Sequence, residues 1–103
     1  MADTKQRPAL VTGGCGFVGR HLVGKLIRRG TDVWIIDNLF TGNHPDQWLT
    51  GFKRHAREGY FSYRNGEREV AFIERDALDV FQDALRGRSS KPELPPFSDV
   101  FHL

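Results

Sequence analysis

Thr12-Gly13-Gly14-Cys15-Gly16-Phe17-Val18-Gly19 is the stretch that decides the fold. It follows Pro8 and the apolar run Ala9-Leu10-Val11, which reads as a short buried strand cut off by the glycine cluster. From Phe17 the spacing changes to a helical period. Phe17, Val18, Leu22 and Leu26 fall on one stripe, interleaved with His21, Lys25 and Arg29. Arg28 and Arg29 sit in the last turn, where cations favour the helix dipole, and Gly30 is placed to end the helix. Gly24, inside the helix, is a mild local cost or a point of close packing. The stretch therefore joins a strand to a helix through a nearly bare backbone.

Such a junction suits one kind of ligand. Gly14-x-Gly16-x-x-Gly19 fits the dinucleotide fingerprint in the required setting, after a strand and opening a helix. One glycine lets the chain turn tightly out of the strand. A second lets the backbone approach a pyrophosphate with no Cβ in the way, and a third lets the helix pack close to the sheet. The unpaired N–H groups and positive dipole end of the 17–29 helix then face a diphosphate.

An acidic residue completes the pattern. Asp32-Val33-Trp34-Ile35-Ile36 is a second strand, mostly apolar, as a parallel strand buried on both faces should be. It ends at Asp37-Asn38, close to the spacing of about 20 residues expected for a ribose-binding carboxylate. A carboxylate accepts both ribose hydroxyls and repels a 2′-phosphate, which favours NAD over NADP. The competing reading is an ordinary turn with Asp37 capping a strand end. Strand, glycine loop, helix and spaced acid together favour the nucleotide site.

Beyond Asp37 the chain is less legible. Thr41-Gly42-Asn43 and His44-Pro45-Asp46 are turn signals, and a short helix can start at Asp46. Residues 53–68 carry Lys53, Arg54, Arg57, Arg64 and Arg68 against Glu58 and Glu67, and read as a polar insertion spanning about 43–69. Val70 to Glu74 is a third strand, Asp76 to Leu85 a short helix closed by Gly87, and Arg88 to Pro96 a loop containing Ser89-Ser90. Ser98 to Leu103 begins a fourth strand in which the chain stops. The fold class expected is α/β, a Rossmann-type parallel sheet of about four strands with helices on both faces, incomplete at its end.

Length and composition set limits. The 103 residues suffice for one small domain, expected over 8–103 after a flexible leader at 1–7. A net charge of +2 is too small to imply a nucleic-acid partner. The N-terminus shows no apolar signal-peptide core and no run approaches a membrane span, so no membrane partner and a cytoplasmic location are expected. The single cysteine excludes an internal disulfide and fits a reducing compartment.

Other chemistry-bearing residues point to no further site. Cys15 stands at the helix entrance, where a thiol can be activated, but a small residue filling a tight loop is the favoured reading. His21, His44, His55 and His102 have no metal-ligand spacing, and no metal is expected. His21 reads as a helix-surface residue, and His102 as structural or close to the cofactor. The basic insertion has aromatic neighbours Phe52, Tyr60, Phe61 and Tyr63, yet a solvated loop is favoured over a nucleic-acid surface.

The motif extends further than the fingerprint. Val11 to Leu22, followed by Ile36-Asp37-Asn38-Leu39-Phe40-Thr41-Gly42, resembles the extended short-chain dehydrogenase/reductase family. Within it the likeness is to NAD-dependent epimerases and dehydratases of nucleotide sugars, such as UDP-glucose 4-epimerases and UDP-glucuronate decarboxylases. Cys15 replaces a usual small residue and Arg20 a common serine. Asp76-Ala77-Leu78-Asp79 resembles the family's Asp-x-x-Asp, whose first aspartate binds the adenine amino group; Arg75 stands where glycine is usual. Val100 to Leu103 resembles the fourth strand, which runs toward the nicotinamide side. The resemblance covers 8–42, 70–79 and 98–103, and is absent over 43–69, where this chain is longer than typical relatives. It implies NAD as cofactor, with Gly13, Gly14, Gly16, Phe17, Val18, Gly19, Asp37, Asn38, Asp76, Ala77 and Leu103 as its binding residues. It also implies a sheet order of 3-2-1-4-5-6, of which this chain holds the first four strands.

The family's acid/base pair, Tyr-x-x-x-Lys, is missing. Tyr60 is followed four places on by Arg64, and Tyr63 by Glu67. No catalytic residue is therefore assigned, and a nucleotide sugar is expected as substrate only of a full-length relative. The chain is expected to be the NAD-binding N-terminal part of such an enzyme, inactive by itself. The alternative is a non-catalytic NAD-binding or interaction module.

Overall fold

A computed structural model describes residues 6–87 and 92–103. Residues 1–5 of the expected leader and Ser89-Ser90 of the expected loop lie outside the described residues. The chain runs β1 (Ala9–Thr12), α1 (Phe17–Arg28), β2 (Val33–Ile36), a 3₁₀ turn (Pro45–Gln47), β3 (Lys53–Arg57), β4 (Tyr60–Asn65), β5 (Arg68–Ile73), α2 (Ala77–Leu85) and β6 (Val100–His102). One six-stranded sheet has the order β3-β4-β5-β2-β1-β6.

Its central part is the expected one. β5, β2, β1 and β6 are parallel neighbours, the 3-2-1-4 order of a Rossmann sheet. The alternation of side chains sorts the core into two layers. Ala9, Val11, Val33, Ile35, Val70 and Phe72 pack with Val23 and Leu26 of α1. Leu10, Ile36 and Ile73 face the other way, onto Val80 of α2. Burial of each large apolar side chain contributes about 1.5–3 kcal/mol, so these three central strands hold the layers together.

The helix ends follow local chemistry. Past Arg29 the chain turns left-handed at Gly30 (φ +84°), with Gly30 N–H donating to Ile27 O and Thr31 N–H to Leu26 O. That pair of bonds is a Schellman motif, and it closes α1 where the sequence predicts. At α2 the Asp76 carboxylate accepts Leu78 N–H and caps the first turn.

The sheet is wider than four strands, and mixed. Residues 53–65, read from the sequence as part of a polar insertion, form a hairpin antiparallel to β5. Its turns use glycine: Gly59 (φ +86°) follows Glu58, and Gly66 (φ +60°) opens the two-residue link to β5. β3 is the outer edge strand and its residues are largely exposed, so polar side chains cost nothing there and no apolar pattern marks it. β4 does alternate: Phe61 and Tyr63 turn toward the α1 layer, whereas Tyr60 stacks beside Trp34 on the other face.

Candidate functional site

The carboxyl ends of β1 and β2 open onto a cleft of about 720 Å³, bounded by the glycine loop, the start of α1 and the segment after β2. Gly13, Gly16, Phe17, Val18, Gly19, Asp37, Asn38 and Leu103 line it, eight of the residues picked from sequence. Phe40 and Thr41 also line it and were not picked. In the sequence Thr41-Gly42 reads as a turn and a family mark, neither of which shows that it borders the cleft.

Each glycine has its own physical cause. Gly13 turns the chain with φ +75°, which L side chains avoid. Gly14 lies beneath the loop, where an added Cβ would stand 2.9 Å from Ile35 Cγ2. It therefore seats the loop on the sheet and does not line the cleft. At Gly19 an added Cβ would come within 2.7 Å of Gly14 Cα and closer still to the Gly13 carbonyl oxygen, so α1 can approach the loop only without one. Gly16 differs. An added Cβ there would meet only Gly13 O, at an ordinary 3.6 Å. Nothing in the protein demands a glycine at 16, yet the residue lines the cleft, and the open space is what an approaching phosphate requires.

The start of α1 is left available. Its N-cap, Gly16, has no side chain to bond the first turn, and that turn carries no acidic residue. The N–H groups and dipole end that a serine or aspartate would ordinarily satisfy remain for an anion.

Asp37 stands opposite. Its Oδ2 accepts Cys15 N–H at 2.9 Å and its Oδ1 accepts Leu39 N–H at 2.8 Å. One acceptor site per oxygen is used, and a carboxylate has about four, so each oxygen can still take a hydroxyl. Asn38 uses its side-chain oxygen on Phe40 N–H, 2.9 Å, which folds the cleft wall. Cys15 is buried, and burial together with the Asp37 charge pushes its thiol up, away from reactivity. It fills the loop, as favoured from sequence.

Asp76 and Ala77 are not in the cleft lining. They stand at the start of α2, past the end of β5, and one Asp76 oxygen is engaged in capping. On β6, His102 bonds Thr12 Oγ1 through Nδ1 at 2.6 Å, tying the last strand to the first beside the loop. His21 Nδ1–H donates to Phe17 O on the exposed face of α1. Tyr63 donates to Asp46 Oδ1 at 2.6 Å on the hairpin side. Neither Tyr60 nor Tyr63 lines the cleft. Among the described residues, no group of His, Cys, Asp and Glu is arranged to hold a metal ion, and no helix is long and apolar enough to cross a membrane.

Known proteins resemble this chain in sequence and in fold. Residues 9–80 match the model of the NAD dependent epimerase/dehydratase family. UDP-glucuronic acid decarboxylase 1 of Arabidopsis thaliana is 63% identical over 38 residues, 37% of this chain and 9% of its own. UDP-glucuronic acid decarboxylase 1 of Danio rerio is 39% identical over 51 residues, 48% of this chain and 12% of its own. The chain thus matches only about a tenth of the length of these relatives. Among solved structures, the UDP-glucose 4-epimerase of Thermus thermophilus in complex with NAD superposes with a TM-score of 0.51 at 28% identity. That alignment covers 92% of this chain and 23% of the other.

Proposed function

Because the chain belongs to the NAD dependent epimerase/dehydratase family, we propose that its cleft holds NAD and that it serves an oxidoreductase acting on nucleotide sugars. The observation that carries this is the meeting of three features in one cleft: bare backbone at Gly16, an uncapped start of α1, and the Asp37 carboxylate. The diphosphate lies against Gly16 and accepts from the N–H groups at the start of α1. Asp37 accepts the hydroxyls of the adenosine ribose with the free lone pairs of both oxygens, and its charge repels a 2′-phosphate. Asn38 bounds the ribose side, and Leu103 bounds the cleft where β6 ends. Asp76 and Ala77 are assigned to the adenine end, through the Asp76 oxygen that capping leaves free.

The chemistry that NAD supplies when bound is reversible hydride acceptance, which turns a sugar hydroxyl into a ketone and back. The proton transfers of such a reaction need an acid/base pair, and Tyr-x-x-x-Lys does not occur in these 103 residues. The chain by itself is therefore inactive on UDP- or TDP-sugars, and any turnover depends on residues outside it. The missing pair also favours a second reading, an NAD-binding module without chemistry. An open reading frame running past codon 103 into a later Tyr-x-x-x-Lys selects the first, and a true stop with a folded product selects the second. The lone buried cysteine supports a reducing, cytoplasmic setting.

Calorimetric titration of the purified chain with NAD tests the reading. Saturable binding, with a melting midpoint that rises with NAD, is expected. Asp37→Ala should weaken NAD binding and narrow the preference over NADP. Equal affinities for NAD and NADP in the parent protein would remove the role given to Asp37, and absence of binding would remove the proposal.

A further inference from the structure

The segment 38–43, one wall of the cleft, is fastened to the glycine loop through the backbone of a single residue. Cys15 donates its N–H to Asp37 Oδ2 and accepts Asn43 N–H on its carbonyl at 3.1 Å. Gly42 lies against the same peptide group. A Cβ added at Gly42 would stand 2.8 Å from both the carbonyl carbon and the oxygen of Cys15, and 3.0 Å from its Cβ. Gly42 does not have the left-handed backbone that calls for glycine, so contact is what excludes a side chain there. From the far end, half-buried Trp48 donates its indole N–H to Asn43 O at 2.9 Å and holds the wall down.

The Asp37 carboxylate is consequently gripped from two sides. One oxygen takes an amide of the glycine loop, the other the amide of Leu39 in the wall. Leu39 is the one non-glycine residue with positive φ (+61°) among the described residues, a conformation that persists only where the surroundings enforce it. A carboxylate fixed in this way presents its remaining lone pairs in set directions. It meets a ribose diol without reorganisation, and it cannot swing aside to relieve a 2′-phosphate.

We infer that Gly42 is a positioning residue for cofactor choice: its close seat on the Cys15 peptide locks the Asp37 carboxylate and so sets the discrimination between a free ribose diol and a 2′-phosphate. This rests on the NAD reading above and adds a residue that neither touches the cofactor nor lines the cleft.

The test is Gly42→Ala in the full chain, with dissociation constants for NAD and NADP measured by calorimetry. NAD affinity should fall about tenfold, the scale of one lost hydrogen bond to a charged group. NADP affinity should change less, so the preference for NAD should shrink at least about threefold. Purely structural damage would weaken both nucleotides by the same factor. An unchanged preference therefore overturns the inference. Should Gly42→Ala fail to fold, Trp48→Phe decides, because it keeps the glycine and removes the indole N–H together with part of the ring. Its preference should narrow by about twofold, and no narrowing in the folded variant overturns the inference equally. A parent protein that binds neither nucleotide removes the NAD reading and this inference with it. A parent that prefers NAD, beside variants of unchanged preference, removes the inference alone.

Discussion

Residues 9–42 and residues 53–65 both build the same sheet, yet they do so under opposite constraints. In the first, β1 is buried on both faces, and the loop that follows threads between α1 and β2 with contacts that exclude even a methyl group. In the second, β3 is an exposed edge whose polar side chains face water, and only the inward residues of β4 reach the core. Crowding makes residue identity matter at the buried strand positions and at Gly14, Gly19 and Gly42 of the first segment. Exposure leaves most of the second free to vary. The proposed NAD site falls in the crowded segment, and a ligand that must approach bare backbone needs that backbone held still.

The contrast can be broken by substitution. Gly19→Val carries the largest expected cost, about 3 kcal/mol or more, because its Cβ would overlap the backbone of Gly13 and Gly14. Urea unfolding measures this, and a loss below about 0.5 kcal/mol, the range of ordinary surface substitutions, would mean that the loop is not packed as described.

Next comes a pH effect in the same loop. Burial raises the Cys15 thiol above its ordinary value of 9.0 in the folded chain. Below that pH the thiol is neutral in both states and its contribution to stability is complete. Above it the unfolded chain ionises first, so stability falls with rising pH, at up to about 1.4 kcal/mol per unit. Cys15→Ala should flatten that slope in alkaline unfolding curves. A slope unaltered by the substitution would show a thiol open to solvent.

On the hairpin side, Tyr63→Phe removes the hydroxyl donated to Asp46 and should cost about 1 kcal/mol, read from the shift in the urea midpoint. The smallest effect belongs to the edge. Arg57→Thr, on exposed β3, should stay within about 0.5 kcal/mol. A loss as large as that of Gly19→Val would erase the distinction between the two segments.

What the sequence disclosed follows the same division. The strand-loop-helix unit, the Gly30 stop and the place of Asp37 were all legible, because each is enforced by a backbone requirement that few residue types satisfy. The hairpin was not legible. Lys53-Arg54-His55-Ala56-Arg57 has the composition of a loop because an edge strand buries almost nothing. A usable signal lay in Asn65-Gly66, a strong hairpin marker between the alternating residues of β4 and β5. Within the site, Gly14 was grouped with residues that face a ligand, although it faces Ile35, because a fingerprint names glycines without saying which way each hydrogen points. Phe40 and Thr41 reach the cleft, and Gly42 reaches Cys15, through the course of the chain past Asp37, which a motif does not encode.

Gly16 is the position where the protein itself gives no reason for a glycine, so it isolates the ligand's demand from the fold's. The most direct test is NAD titration of Gly16→Ala beside the parent protein, with both melts recorded. A variant whose stability drops by less than about 1 kcal/mol while its NAD affinity falls at least about tenfold is the predicted result. Full NAD affinity in a folded Gly16→Ala would contradict the account, since a phosphate could not then be resting where the methyl group stands.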